Sequence, residues 1–243
     1  MYRMFAYVRR DLIRWSRAPM NVLSTLAMPC AWLLFMGLVM PVRWESGNYL
    51  DYVTPSILVM TVMTAGLSGG SSLMFDKMLG YLNKFLAVPA PRESILAGKI
   101  FFITVRGLIQ ATIILVISII IGASILPPEA YLEMYLILFM FGVFFSAFGT
   151  TVALYLGNHD SYAAFQAFVS MPLYFASTAL VSYDMMPQWL WYIAKVNPLS
   201  YAIDAVRLAA SGTFPLTEIA ILLVLSTAMT VVCARKFRKA TLG

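Results

Sequence analysis

The chain has 243 residues, of which 61% are hydrophobic and only 12% charged, and it carries a formal net charge of +6. A soluble domain carries about 25% charged residues, so this composition excludes an ordinary water-soluble fold. The basic excess, which would suggest nucleic acid in a soluble chain, here sets orientation across a bilayer, and no nucleic-acid partner is expected.

Residues 18–42, 52–75, 107–128, 134–159 and 161–183 contain no Asp, Glu, Lys or Arg, and 219–234 is similar. Runs of roughly 20 apolar residues cross the hydrocarbon core as helices, and these lack the alternation of barrel strands. The pattern predicts an all-α polytopic membrane protein made of a single transmembrane domain over 1–243. Residues 1–19 predict an amphipathic helix lying in the membrane interface. Met4, Phe5, Val8, Leu12 and Trp15 share one face, while Arg3, Arg10, Arg14 and Arg17 occupy the other. The apolar run that follows is longer than a signal-peptide core and has no small-residue cleavage site, so it is expected to stay as the first span.

Spans are predicted at about 21–40, 52–73, 100–121, 132–156, 162–181 and 216–233. Between the second and third lies "FDKMLGYLNKFLAVPAPRESILAGK", residues 75–99, with a short amphipathic helix formed by Met78, Leu79, Leu82, Phe85 and Leu86. It should end before Pro89, which with Pro91 makes a stiff corner. A Pro-Pro-Glu turn separates spans three and four, and "GNHDS", 157–161, separates four and five. The uncharged pieces of residues 184–212 are too short to cross, and Pro187 and Pro198 interrupt them; this segment predicts a re-entrant pair of short helices.

Parity supports six spans with both termini cytoplasmic. That arrangement places 13 of the 17 Lys and Arg inside, whereas a seventh crossing would put the terminal "RKFRK" outside. Arg106, within span three, is expected to snorkel toward the cytoplasmic interface. Cys30 and Cys233 lie at different depths, so neither a disulfide nor a metal site is expected. His159 sits in a polar turn and should be solvated. Asp204 and Arg207 are three residues apart on one helix face and should pair.

The sequence "AGKI", 97–100, has no Ser or Thr after its lysine and no glycine five residues before its own, so it is not a phosphate-binding loop. No nucleophile elbow appears, and no carboxylate sits in the middle of a span, which argues against a proton-coupled carrier. The chain is expected to hold no catalytic site, metal or cofactor of its own. Two alternatives are a stand-alone carrier or channel driven by an ion gradient, and a lipid-modifying enzyme, which would need clustered acidic, His or Cys residues at one membrane face.

The run Gly80, Leu82, Phe85, Leu86, Pro89, Arg92, Ile95, Leu96, Gly98 and Lys99 resembles the cytoplasmic loop of ABC-2-type transporter permeases. "VNPLSYAIDAVR", 196–207, resembles that family's motif before the last span. The resemblance implies an export permease whose ATPase is a separate cytoplasmic chain that binds ATP and Mg, and which pairs with a second permease subunit in the cell membrane. The exported substrate would be an amphiphile such as a drug, a lipid or a lipid-linked glycan. Residues 75–95 would form the coupling loop. The ATPase interface would then comprise Asp76, Lys77, Gly80, Leu82, Asn83, Phe85, Leu86, Pro89, Arg92 and Glu93, with Asn158 and Asp160 as a second contact and Arg10 and Arg14 bracing it. Trp189, Asn197, Pro198, Asp204 and Arg207 would belong to an outer gate. One departure stands out: family members often carry acidic residues just before the conserved glycine and another where this chain has Asn83, whereas here there is only Asp76.

Overall fold

The computed structural model describes residues 8–9, 11–13, 15, 17, 19–39, 48–78, 92–156 and 158–240. Beyond helical residues in the N-terminal segment, these form α1 (Pro19–Val39), α2 (Tyr49–Met78), α3 (Arg92–Ile121), α4 (Pro128–Tyr155), α5 (His159–Phe175), α6 (Gln188–Val196), α7 (Pro198–Ala210) and α8 (Leu216–Ala240). A 3-10 turn at Tyr183–Met185 precedes α6, and no strand occurs among the described residues. Four stretches are long and apolar enough to cross a membrane: Tyr49–Asp76, Ile95–Ile121, Pro128–Tyr155 and Leu216–Arg238. Val22–Gly37 is a shorter apolar helix.

Helix α2 organises the bundle. It packs on α1, α3, α4, α5 and α7. Its most apolar window is 72% buried, against 17% for α8, which therefore lies at the periphery. Its length also matters. Thirty residues reach about 45 Å, well beyond a hydrocarbon core of about 30 Å, so the ends of α2 carry its polar residues out of the apolar layer.

Close packing around α2 depends on missing side chains. Without a hydrophobic drive between helices in lipid, small residues that admit close backbone approach hold such bundles together. A methyl group on Gly149 of α4 would lie 2.8 Å from the Tyr162 hydroxyl and 3.1 Å from the Leu67 carbonyl oxygen, so Gly149 lets α5's ring enter between α2 and α4. Tyr162 is fully buried there, and its hydroxyl donates to the Leu67 oxygen at 2.5 Å. Nearby, Phe141 and Phe145 of α4 fill the core against Val62, Met63 and Leu67.

The N-terminal stripe is present at Val8, Leu12 and Trp15. It packs on Phe101, Phe102 and Ile103 of α3, so these residues cover protein. Span five is shorter than the charge-free run suggests. Helix α5 ends at Phe175, and residues 176–182 form turns instead of continuing to 181. The reason is a distant cap. The Asn197 amide donates to the terminal carbonyls of Leu173 and Ala176 at 2.7 and 2.8 Å, and the Ser177 hydroxyl donates to that of Tyr174. Carbonyls satisfied in this way need no further helical turn.

Tyr162→Phe should lower stability by about 1 kcal/mol, the net value of one such hydrogen bond. Gly149→Val overfills the α2–α4 contact and should cost more, about 1–3 kcal/mol. Thermal unfolding of detergent-solubilised protein should rank wild type above Tyr162→Phe and Tyr162→Phe above Gly149→Val.

Candidate functional site

The charged residues gather at the two ends of the bundle, Arg106 apart, and uncharged polar groups are spread between them. At the first end, Lys99 in the opening turns of α3 pairs with Asp76 near the end of α2; their side chains are 3% and 15% exposed. The pair ties together the two roots of the segment 79–91. Asn158 caps α5, accepting from the Ser161 amide at 2.7 Å, and Asp160 is exposed in the first turn beyond it. His159 is half-buried, its ring centroid 4.5 Å from that of Phe75, so it is not simply solvated as its turn suggested. The basic end of α8 arrives at the same place: Lys236 lies 4.9 Å above the Tyr155 ring, and Cys233 and Phe237 pack with Leu96 and Ile100.

Of the expected interface residues, Asp76, Asn158 and Asp160 thus share one end. Lys77, Arg92 and Glu93 fall on the ends of α2 and α3, with side chains outside the described residues. Gly80, Leu82, Asn83, Phe85, Leu86, Pro89, Arg10 and Arg14 lie outside the described residues altogether. Sequence reasoning missed Lys99 as the partner of Asp76. Only the antiparallel packing of α2 and α3 brings residues 23 apart into contact.

At the opposite end, the Asn48 amide donates to the Gly122 carbonyl at 2.6 Å, and Asp51 accepts from the Ser124 amide and hydroxyl at 2.7 and 2.6 Å. The short helices α6 and α7 sit on this side. Asn197 separates them and caps α7, accepting from the Leu199 amide at 2.9 Å, and Pro198 occupies the first helical position, which lacks a helical donor partner anyway. Trp189 is 65% exposed on α6, and Lys195 lies 4.4 Å above the Tyr183 ring.

Asp204 and Arg207 share a face of α7 but do not pair with each other, contrary to their spacing. Asp204 accepts from the Thr178 and Tyr183 hydroxyls at 2.9 and 3.0 Å. Arg207 turns to α2: it donates to the Ser56 hydroxyl at 3.0 Å and the Tyr52 carbonyl at 3.3 Å, and its guanidinium lies 3.9 Å over the Tyr52 ring. Both side chains stitch α7 to neighbouring elements, an outcome that depends on which helices stand alongside. Burial pushes the Asp204 carboxyl up, opposed by its two hydroxyl donors and by the nearby charges of Arg207 and Lys195.

Between the ends lies a polar layer. Arg106 does not run to the end of its helix. Its Nη2 donates to the Ser68 hydroxyl and, at 3.1 Å, to the Ala65 carbonyl, both on α2. One turn farther along α3, Gln110 is buried and donates to the Thr25 hydroxyl of α1 at 2.6 Å. Sequence reasoning passed over Gln110 and Thr25. Their one signal was an amide and a hydroxyl standing in charge-free runs. Cys30 and Cys233 are both free thiols, and no group of three or more His, Cys, Asp or Glu that could hold a metal occurs among the described residues.

A charge-poor bundle of long apolar helices, with its ionic groups, Arg106 apart, drawn to the ends, is a multi-pass membrane protein. The chain belongs to the ABC-2 type transporter family, whose sequence profile matches residues 2–210, and is an ABC transporter permease. It is 33% identical over 210 residues to a "Putative transport permease ycf38" of Cyanophora paradoxa, covering 84% of this chain and 72% of that protein. It is 26% identical over 234 residues to a "Probable doxorubicin resistance ABC transporter permease protein DrrC" of Mycobacterium tuberculosis, covering 93% and 83%. With "Nodulation protein J" of Rhizobium leguminosarum bv. viciae the identity is 23% over 205 residues, covering 82% and 78%.

Removing one partner of a buried ion pair costs about 3–5 kcal/mol, whereas replacing both by apolar residues is often nearly neutral. Asp76→Ala should therefore destabilise the protein strongly, and the double variant Asp76→Leu/Lys99→Met should recover most of the loss in a heat-challenge assay. At the other end, Asp204→Asn should be mild. Asp204→Leu, which leaves two hydroxyl donors without their acceptor, should cost about 1–3 kcal/mol.

Proposed function

We propose that this chain is the membrane half of an ATP-driven exporter in the cell membrane, coupled to a separate nucleotide-binding subunit and paired with a second permease subunit. In this reading the membrane is crossed six times, by α1, α2, α3, α4, α5 with the turns after it, and α8. Both termini are cytoplasmic, as is the end that carries Asp76, Lys99 and the basic turns of α8. Helices α6 and α7, of 9 and 13 residues, extend about 13 and 20 Å; both are shorter than the core is thick, and they form a re-entrant hairpin on the outer side. The N-terminal segment lies along the interface beside α3.

The observation that carries this reading is the clamp at the root of the 79–91 segment. A coupling helix containing Leu82 and Phe85 would seat in a groove of the ATPase, with Gly80, Asn83, Leu86 and Pro89 shaping it and Lys77, Arg92 and Glu93 flanking it. Because Asp76 and Lys99 join α2 to α3 at its base, a displacement of the segment moves both helices together, and α2 touches most of the bundle. The turn bearing Asn158 and Asp160 supplies a second contact, and Arg10 and Arg14 brace it. Since Asp76 is held by Lys99 within the chain, docking rests mainly on the apolar residues of the segment. ATP and Mg bound by the partner favour one arrangement of the membrane subunits only through differential binding to the two states. Opening on the outer side would involve Trp189, Asn197, Pro198, Asp204 and Arg207, with the contacts of Arg207 to α2 and of Asn197 to the end of α5 carrying the movement there.

The exported substrate is an amphiphile. The name of the DrrC relative, which refers to doxorubicin resistance, supports that class. Leu82→Asp/Phe85→Asp should abolish co-purification of a nucleotide-binding ATPase while leaving the protein folded in the membrane. Isolation of the tagged chain in mild detergent, followed by mass spectrometry, checks this. A chain stably alone in repeated preparations would instead point to a gradient-driven carrier.

A further inference from the structure

Helices α1, α2, α3 and α5 enclose a cavity of about 200 Å3 that the stabilising contacts of the bundle leave unfilled. Thr25, Thr64, Ser68, Gln110 and Gln166 line it, with Met28 at its apolar rim, 52% exposed. At about 30 Å3 per water molecule it has room for roughly six waters. Pockets that take a whole drug-sized ligand run to about 300–1,000 Å3, so this one accommodates a head group and leaves a tail outside.

Its wall is chemically one-sided. The Gln166 side-chain amide has no hydrogen-bond partner among the described residues. Arg106 reaches the Ser68 hydroxyl on the wall from behind, its Nε is buried without a partner, and it makes no ion pair among the described residues. A cation this far along a membrane-spanning helix, without a counter-charge, is costly unless a partner or water meets it. Gln166 and Gln110 add amide groups beside it, while no carboxylate lines the cavity.

From this juxtaposition we infer that the cavity is a subsite for the anionic head group of an amphiphile, with Arg106 supplying the charge through the Ser68 wall and Gln166 the direct hydrogen bond. The apolar tail leaves past Met28. Identification of the occupant as transported substrate rests on the export reading above; the binding itself does not.

The test uses the full chain in phosphatidylcholine nanodiscs and a fluorescent twelve-carbon alkyl phosphate, compared with an uncharged alkyl glucoside of the same tail and dye. The wild type should bind the phosphate about tenfold more tightly or better, the factor expected for a hydrogen bond to a charged group. Gln166→Leu should remove most of that preference, and Arg106→Gln should abolish it. If Arg106→Gln fails to fold, Met28→Trp, which narrows the mouth, should weaken both probes while the phosphate preference stays. Equal affinity of the wild type for both probes, or an unchanged preference in Gln166→Leu together with unchanged binding in Met28→Trp, would overturn the assignment. Phosphatidylglycerol added to the nanodisc separates the sources: displacement of the probe marks a resident lipid head group, and retention marks a solute. No ATPase is needed, so loss of the export reading and loss of this one are told apart.

Discussion

A polar group inside a bilayer has no water to fall back on, and in this bundle such groups are met by a carbonyl of their own helix, by a neighbouring helix or by a cavity. The Tyr162 hydroxyl on the Leu67 carbonyl follows from that constraint, and burial imposes the same demand at the ends of the bundle, on the pairing of Asp76 with Lys99, the Asn197 amide on the open end of α5 and the Arg207 guanidinium on α2. Each of these contacts joins different elements. The constraint thus converts isolated polar residues into the fasteners of the tertiary structure. Arg106 is only partly satisfied by α2, and it touches the polar cavity through the Ser68 hydroxyl.

The fasteners are arranged so that α2 feels events at both ends. Near Met78 it is tied to α3 through the ion pair and touches the start of α5 through Phe75 and His159. Near Tyr49 it is tied to α7 through Arg207 and to the α3–α4 connection through Asp51. Along its middle, Tyr162 and the glycines of α2 and α4 hold it at close range. A thirty-residue helix clamped in this way is a rigid element long enough to relate one face of the membrane to the other. In the proposed export function, α2 would be the element through which movement at one end reaches the other.

The cavity sits beside this rigid element, between its polar face and the amides of α3 and α5. A shift of α2 relative to α5 would alter the distance between Ser68 and Gln166, and with it the space for a head group. Binding and coupling would then act on the same helix.

Much was legible in the residues alone because it depends on composition and local pattern. Charge-free runs mark the helices of a membrane protein, Asn197 and Pro198 mark a helix start, and the stripe of Val8, Leu12 and Trp15 marks a buried face. The membrane class and the short helices before the last long one came from such signals, and the family resemblance from the residues of 80–99 and 196–207. Partners did not. Apolarity continues past Phe175, so only the distant Asn197 reveals that α5 stops there. The spacing of Asp204 and Arg207 suggests a pair, yet each finds a better partner on another element. Gln110 and Gln166 look unremarkable in sequence, and they line one cavity because α1, α2, α3 and α5 meet around it. The sequence by itself determined which segments are helical and apolar, since backbone and solvent preferences act locally. Which polar side chain answers which was decided only by the tertiary structure, because that depends on helices brought together across tens of residues of chain.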